Sequence, residues 1–424
     1  MNGAQTEKDF VMTTHVSPTS LKGWKITTAG RSLSTLSQQW ARRPHDERYL
    51  SLDALLVATK LRAERAEERK IKTSELSLSS PEIAEDDNLA DAQLKMNSLM
   101  LDVGEDDHRA LTNWTFGQIV SLAGAGSASR VLKLLPGANV SNDLTYLMRY
   151  NRGSDEIKLY SDDLEALAVT GPDYGRIFDH EVTAAVAAAT CGATGDHRWK
   201  VPGMLDWGTM IYDPNHPVTK DTTTIFGNDR GVFIFLCQDL CPIEIGKLPD
   251  GSPDYVFRGF YVTNSEVGAG TLKLGAMYLR GICCNRIMWG VEAFEEMTMR
   301  HTKYAPSRFI EEAQPALQSF ANGSAQKLVD GVNLAKQAIV AETKQKAVEF
   351  LVGRNIAAKR ALSIYEKIVR EQWGVAAADE EPEERAVSVW DLAQGITAVA
   401  REEKNFDTRI DLEQAAGVLL DRVA

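Results

Sequence analysis

Two runs, RGVFIFLC at 230–237 and DYVFRGFYVT at 254–263, constrain this chain more than any other feature. They are dense in β-branched and aromatic residues and bounded by Asn, Asp, Gly and Pro, which is the signature of strands. IKLY at 157–160 and GTMIY at 208–212 carry the same signal more weakly. Between two of the runs stands LPDGSPD, whose turn chemistry predicts that IEIGK and YVFRGFYV pair as a hairpin. Residues 271–290 are apolar throughout and read as a buried strand or helix.

Helical periodicity surrounds these runs. SLDALLVATKLRAERAEERKIK at 51–72 reads as a helix with a solvated second half, and the acidic stretch 74–107 as a linker around a short helix. Apolar residues at three- and four-residue steps from Thr112 to Leu135 predict two short helices joined at Gly124-Ala125-Gly126. A third helix is expected over 141–152, capped by Ser141-Asn142-Asp143. From Arg308 to about Trp373 the stripe Leu328, Val332, Leu334, Ala338 predicts a helical hairpin with one charged face and an apolar stripe available for self-association. An acidic linker at 374–385 and an amphipathic helix at 388–403 follow. The expected architecture is therefore α+β: a mainly antiparallel central sheet from about 155 to 285, flanked by helices, with an α-helical C-terminal region. The divisions are an N-terminal arm at 1–50, a helix and acidic linker at 51–107, an α+β core at 108–307, long helices at 308–373, and an acidic linker with a C-terminal helix at 374–424.

Composition limits the function. The 424 residues carry 59 Asp and Glu against 47 Lys and Arg, a net charge of -12, so the whole surface cannot coat nucleic acid and any such contact needs a local patch. Five cysteines without regular spacing give no disulfide framework, which makes a reducing cytoplasm the expected location. The longest near-apolar stretch, VTAAVAAATC at 182–191, falls short of the roughly 20 residues that span a bilayer, so no membrane association is expected.

Familiar catalytic motifs are missing: there is no G-x-x-x-x-G-K-[ST] and no G-x-S-x-G. Gly124-Ala125-Gly126 lacks the third glycine and the preceding strand of a dinucleotide site, and reads as a helix-to-helix turn. Cys237, Cys241, Cys283 and Cys284 have the residue type for zinc, but adjacent cysteines in an apolar run are more often buried hydrophobes. Asp179, His180 and Asp206 are the residue types of a metal-dependent nuclease or hydrolase. No cofactor and no metal is assigned.

Charge distribution says more. Segment 258–308 has seven Lys and Arg against four Glu, and segment 130–152 has four against one Asp, so each is +3 in an acidic chain. Both blocks interleave aromatics: Tyr146 and Tyr150 in one, Phe260, Tyr261, Trp289 and Tyr304 in the other. Lys and Arg neutralise phosphates while rings stack on bases, as a single-stranded nucleic-acid groove requires. The competing reading has the rings in the core and the arginines paired with the acidic surplus. The expected nucleic-acid-binding residues are Arg149, Arg152, Arg230, Arg258, Tyr261, Lys273, Arg280, Arg286, Trp289 and Arg300.

The stretches TTTIFGNDRGVFIFLCQD, FRGFYVTNSEVGAGTLKLGAMYLRGICCNRIMWG and MRHT, with NWTFGQIVSLAGAGSASRVLKLLPGANVSNDLTYLMRYN before them and VWDLAQGITAVAREE after, resemble the phage- and plasmid-related family called domain of unknown function 932. The resemblance covers about 110 to 405. It implies a role in mobile-element DNA metabolism, such as single-strand binding in recombination or replication and strand annealing by an oligomer, in the host cytoplasm if phage-encoded. It also admits a contest with the host, in which the C-terminal helices bind a host or phage protein. Within the motif, Glu266 suits a helix cap or an arginine partner, and Asp229-Arg230 either fixes a turn or presents Arg230 to a phosphate.

Overall fold

The computed structural model describes residues 44–420 except 97, 105–106, 191–198, 207–210, 248–250, 252, 281–285, 288–296, 323–325, 376–384, 403–411 and 413–414. The chain divides into two compact units, which among the described residues are 61–174 and 44–60 with 175–420. The fold is α+β, with a mainly antiparallel sheet and a helical C-terminal region.

The second unit holds an eight-stranded antiparallel sheet in the order Arg48–Tyr49, Ile225–Asn228, Gly231–Cys237, Pro253–Asn264, Leu272–Arg280, Arg286–Ile287. Ile243–Lys247 also pairs with Pro253–Asn264, in the hairpin that the turn sequence predicts, and Met297–Met299 also pairs with Leu272–Arg280. Alternate residues of the central strands enter two cores. Ile234, Leu236, Phe260 and Val262 join one with the C-terminal helices, while Phe226, Phe233, Phe235 and Tyr261 form an aromatic cluster. A strand buried on both faces has no polar side left, which is why these runs read as continuous apolar sequence.

The C-terminal helices bury much of their apolar surface inside this unit. Instead of one hairpin there are helices at Gln314–Asn322, Gln326–Gln337, Lys344–Val352 and Ala358–Lys367, interrupted by a strand, Ile339–Ala341, that pairs with Val387–Ser388. Val332, Leu351, Ile364 and Ile368 are buried against Trp390 and Ile396 of Val389–Glu402; of the stripe expected to drive self-association, Val332 is thus core and Ala338 partly buried, while Leu334 stays 47% exposed. That last helix begins as predicted: the Ser388 hydroxyl accepts from Asp391 N at 3.1 Å, and the Asp391 carboxylate accepts from Ser388 N at 3.0 Å.

The first unit contains a second, six-stranded sheet that the sequence pattern does not foreshadow, ordered Glu67–Lys72, Glu156–Ser161, Glu165–Thr170, His108–Leu111, Met100–Val103, Leu76–Ser79. The 157–160 run belongs here and not to the central sheet. Residues 67–72 are an edge strand and not a helical continuation. Lys70 lies opposite Lys158, and the repulsion is offset by diagonal pairs, Lys70 with Glu156 at 3.0 Å and Lys158 with Glu68 at 3.2 Å. A row of charges also protects an edge from pairing with another chain. Within the expected linker, Leu76 and Leu78 alternate with half-buried serines in a true strand.

Helices Asn113–Leu122 and Gly137–Arg152 cover one face of this sheet, burying Phe116, Ile119, Val120, Leu144 and Met148 at about 1.5–3 kcal/mol each. Leu94 of helix Leu89–Met96 packs on Met100 and Ala110, which alternate with the helix-facing Leu101 and Leu111.

Candidate nucleic-acid interface

A cluster of buried polar groups lies in the second unit around Asn264-Ser265-Glu266. Helix Asp179–Thr190 starts there: the Glu266 carboxylate accepts from Asp179 N at 2.9 Å, and Asn264 Nδ2 donates to Asp179 Oδ1 and to Ile177 O, both at 2.8 Å. Arg176 donates to the Glu266 carbonyl, and the Ser265 hydroxyl to the carbonyl of Arg230. His301 faces Gly175 O through Nδ1 at 3.2 Å, and its own carbonyl accepts from Gly175 N at 3.1 Å. Burial holds the His301 imidazole neutral, with a pKa near 4; the Gly175 bond works against the shift and the nearby Arg176 charge adds to it. Glu266 is thus the helix cap that its residue type suggested, supplied from a distant part of the chain. The whole cluster ties one helix to one strand end.

That use of Asp179 argues against the metal-dependent hydrolase. Its side chain is fully buried and engaged by Asn264, and His180 packs beside Phe178 with ring centroids 5.6 Å apart. Asp206 ends a short strand, and its side chain lies outside the described residues. Among the described residues no three His, Cys, Asp or Glu side chains gather as metal ligands. Cys237 is buried with its thiol pushed up by desolvation, while Cys241 is exposed; Cys283 and Cys284 lie outside the described residues.

The ten expected nucleic-acid contacts fare unevenly. Arg258 is only 3% exposed, with its guanidinium 4.4 Å from the centroid of the Phe320 ring, so it holds a core aromatic and not a phosphate. Tyr261 is 2% exposed; its ring stacks on Phe233 and lies across Gly275, its register partner, where any side chain would collide with it. Both expectations are corrected, because the central strand has no solvent face. Arg230 is half-buried in a two-residue turn that Asn228 fixes, its Oδ1 accepting from Arg230 N at 3.0 Å and Gly231 N at 3.1 Å. Lys273 is half-buried in a strand. Arg280 and Arg286 occupy strand positions paired with Val256 and Leu279, with side chains outside the described residues, as is Trp289 altogether. Arg300 is exposed near Lys303, whose ammonium sits 4.9 Å over the Tyr304 ring.

Arg149 and Arg152 stand on the helix Gly137–Arg152, where the sequence pattern survives at the surface. The helix starts four residues earlier than its Ser-Asn-Asp suggested, because Gly137 lets its first turn sit against the Ser98 carbonyl. Gly153, at φ +57, ends it. One stripe of the helix is buried, and the opposite stripe carries Tyr146 and Tyr150, 66% and 75% exposed. Their rings stack with centroids 6.0 Å apart and planes 17° from parallel. Arg149 donates through Nη2 to Leu76 O at 3.1 Å, and Thr145 accepts from Leu78 N at 2.9 Å, so this helix also covers the edge of the six-stranded sheet. Asn151 and Arg152 donate to Ala123 O at 2.6 Å and Leu122 O at 3.4 Å, capping the neighbouring helix at its negative end. Gly124 turns away there at φ +74, in the helix-to-helix turn expected of it.

Residue type singled out the arginines and tyrosines but not the roles of Thr145 and Asn151. The signal for the shared face was the four-residue spacing of Thr145 with Arg149 and of Tyr146 with Tyr150. Compared with known proteins, the chain matches no family model, no curated protein and no solved structure. No helix among the described residues is long and apolar enough to cross a membrane.

Proposed function

We propose that this chain binds single-stranded DNA, without catalysing a reaction on it, through the outward face of helix Gly137–Arg152. The observation that carries the reading is the stacked, solvent-facing pair Tyr146 and Tyr150 beside Arg149 and Arg152. Exposed rings cost solubility and are worth keeping where they meet a flat apolar ligand, and two arginines in the same turn and a half supply phosphate contacts. Four Lys and Arg against one Asp make 130–152 a basic island in a chain of net charge -12. The resemblance to the phage- and plasmid-related family supports a setting in mobile-element recombination or replication.

Fluorescence anisotropy of the full chain with a labelled single-stranded oligonucleotide, at two salt concentrations and with duplex competitor, tests this. Binding should weaken with salt, prefer the single strand, and fall in Arg149→Ala/Arg152→Ala. Undetectable binding at low salt, or binding indifferent to both substitutions, would sink the assignment.

A further inference from the structure

The second unit carries a basic surface that has no part in the single-strand face. Helices Lys344–Val352 and Ala358–Lys367 are joined by a short turn, and the hairpin holds six Lys and Arg against Glu349 and Glu366, a net +4 in a chain of -12. From Phe350 to Tyr365 it has three cations, Arg354, Lys359 and Arg360, and no acid. Its inner side is core: Ala347, Leu351, Ala361 and Ile364 are fully buried, and Gly395 brings Val389–Glu402 against Ile364 and Ile368. Asn355 at φ +64 fixes the turn, with Arg354 N and Ile356 N donating to Leu351 O at 3.0 and 3.2 Å. Outside stands the head of the second helix. Ala357, Ala358, Lys359 and Leu362 are exposed there, with an exposed Arg354 in the turn and a half-buried Arg360. Arg354 rests on the Phe350 ring, 3.5 Å from its centroid, which leaves its charge in place. Lys346 pairs with Glu342 at 3.3 Å where the first helix starts, and Lys367 with Glu371 and Glu402 where the second ends, both away from the turn.

We propose that this hairpin binds double-stranded DNA, the head of Ala358–Lys367 entering the major groove while Arg354, Lys359 and Arg360 meet the phosphates. The major groove of B-form DNA is about 12 Å wide and admits one α-helix, and helix pairs joined by a short turn present the start of their second helix to it. Ala357 and Ala358 are small enough to let that helix start approach the base edges, and the cations around them neutralise the groove's walls. A single strand fits this surface less well: Tyr365 is buried and the Phe350 ring lies under Arg354, so no ring of the hairpin stands open to stack on its bases.

The experiment titrates the full chain against a labelled DNA duplex and an RNA duplex of the same sequence. The wild-type protein should bind the DNA duplex in a salt-dependent way and the RNA duplex roughly tenfold more weakly or worse, because the A-form major groove is too deep and narrow for a helix. Lys359→Glu, at an exposed position, should weaken DNA-duplex binding roughly tenfold or more and lower its salt slope. Ala358→Phe changes no charge and should weaken it as much by blocking entry, while single-strand binding stays as in the wild type. Equal affinity for the two duplexes, or wild-type binding by Ala358→Phe, would overturn groove entry. Absence of duplex binding at low salt would also overturn it and leave the surface to an acidic protein. Arg149→Ala/Arg152→Ala should keep its duplex affinity; loss there would place the duplex on the other face and sink the proposal without touching the single-strand reading. Matching circular dichroism and thermal melts establish that the variants are folded, as substitution of exposed residues allows.

Discussion

Segments 130–152 and 258–308 have the same net charge and the same interleaving of arginines with aromatic residues, yet the fold uses them in opposite ways. In the first unit the basic block ends in a helix lying on a sheet. Such a helix buries one stripe and shows the other to solvent, so Tyr146 and Tyr150 stay outside while Leu144 and Met148 go in. In the second unit the block opens in a central strand buried on both faces, where Phe260 faces one core and Tyr261 the other. Even Arg258 is drawn in, its charge set over the Phe320 ring. Composition alone cannot tell these outcomes apart. The element that carries the residues decides whether an arginine beside a tyrosine stands on an exposed face or becomes a piece of core.

The largest effect expected from this contrast is on stability. Phe260→Ala or Tyr261→Ala should cost about 3–5 kcal/mol in urea unfolding, with unchanged oligonucleotide affinity for the molecules that remain folded. A stability loss under about 1 kcal/mol would mean that the central strand is less enclosed than described.

Next comes the pH response of the buried block. His301 has its pKa depressed in the folded state to about 4 from 6.5, so the unfolded chain takes up the proton first. Stability should fall as pH drops from about 6.5 to about 4, by about 3 kcal/mol from this residue. His301→Gln should flatten that part of the pH profile relative to the wild type. Identical profiles would show that the imidazole is accessible in the folded protein.

Glu266→Ala should destabilise by about 1–3 kcal/mol, because it strips the buried Asp179 N–H of its acceptor. Hydrogen exchange at the start of Asp179–Thr190 would report the loss directly, and unchanged protection there would remove Glu266 from its capping role. The smallest effect completes the comparison: Tyr150→Ala should alter stability by no more than about 0.5 kcal/mol, against the several lost at Tyr261.

The second unit's framework is legible in the sequence, because Gly231–Cys237 and Pro253–Asn264 are long and apolar, and the turn between Ile243–Lys247 and its partner carries Pro, Asp and Gly. The first unit's sheet is hidden for physical reasons. Glu67–Lys72 is an edge strand whose charges are satisfied across the pair with Glu156–Ser161, so its apolar alternation is reduced to Ile71. Leu76–Ser79 is four residues long, with serine on the less buried side, and its acidic surroundings read as linker. For the candidate site, residue type pointed to Arg149 and Arg152 but noted Tyr146 and Tyr150 only as aromatics of the same basic block, the expected contacts having Tyr261 and Trp289 as their rings, while the loss of Arg258 and Tyr261 to the core depended on pairing with strands distant in sequence.

Arg149 gives a single nitrogen to the Leu76 carbonyl on the outer strand, and a guanidinium has five N–H groups in a fixed fork, so it can serve the carbonyl and an anion together. Lysine offers a compact point charge in place of that fork. Arg149→Lys keeps the charge but gathers its donors on one nitrogen, so the Leu76 carbonyl and the anion of the proposed ligand would have to meet around a single atom.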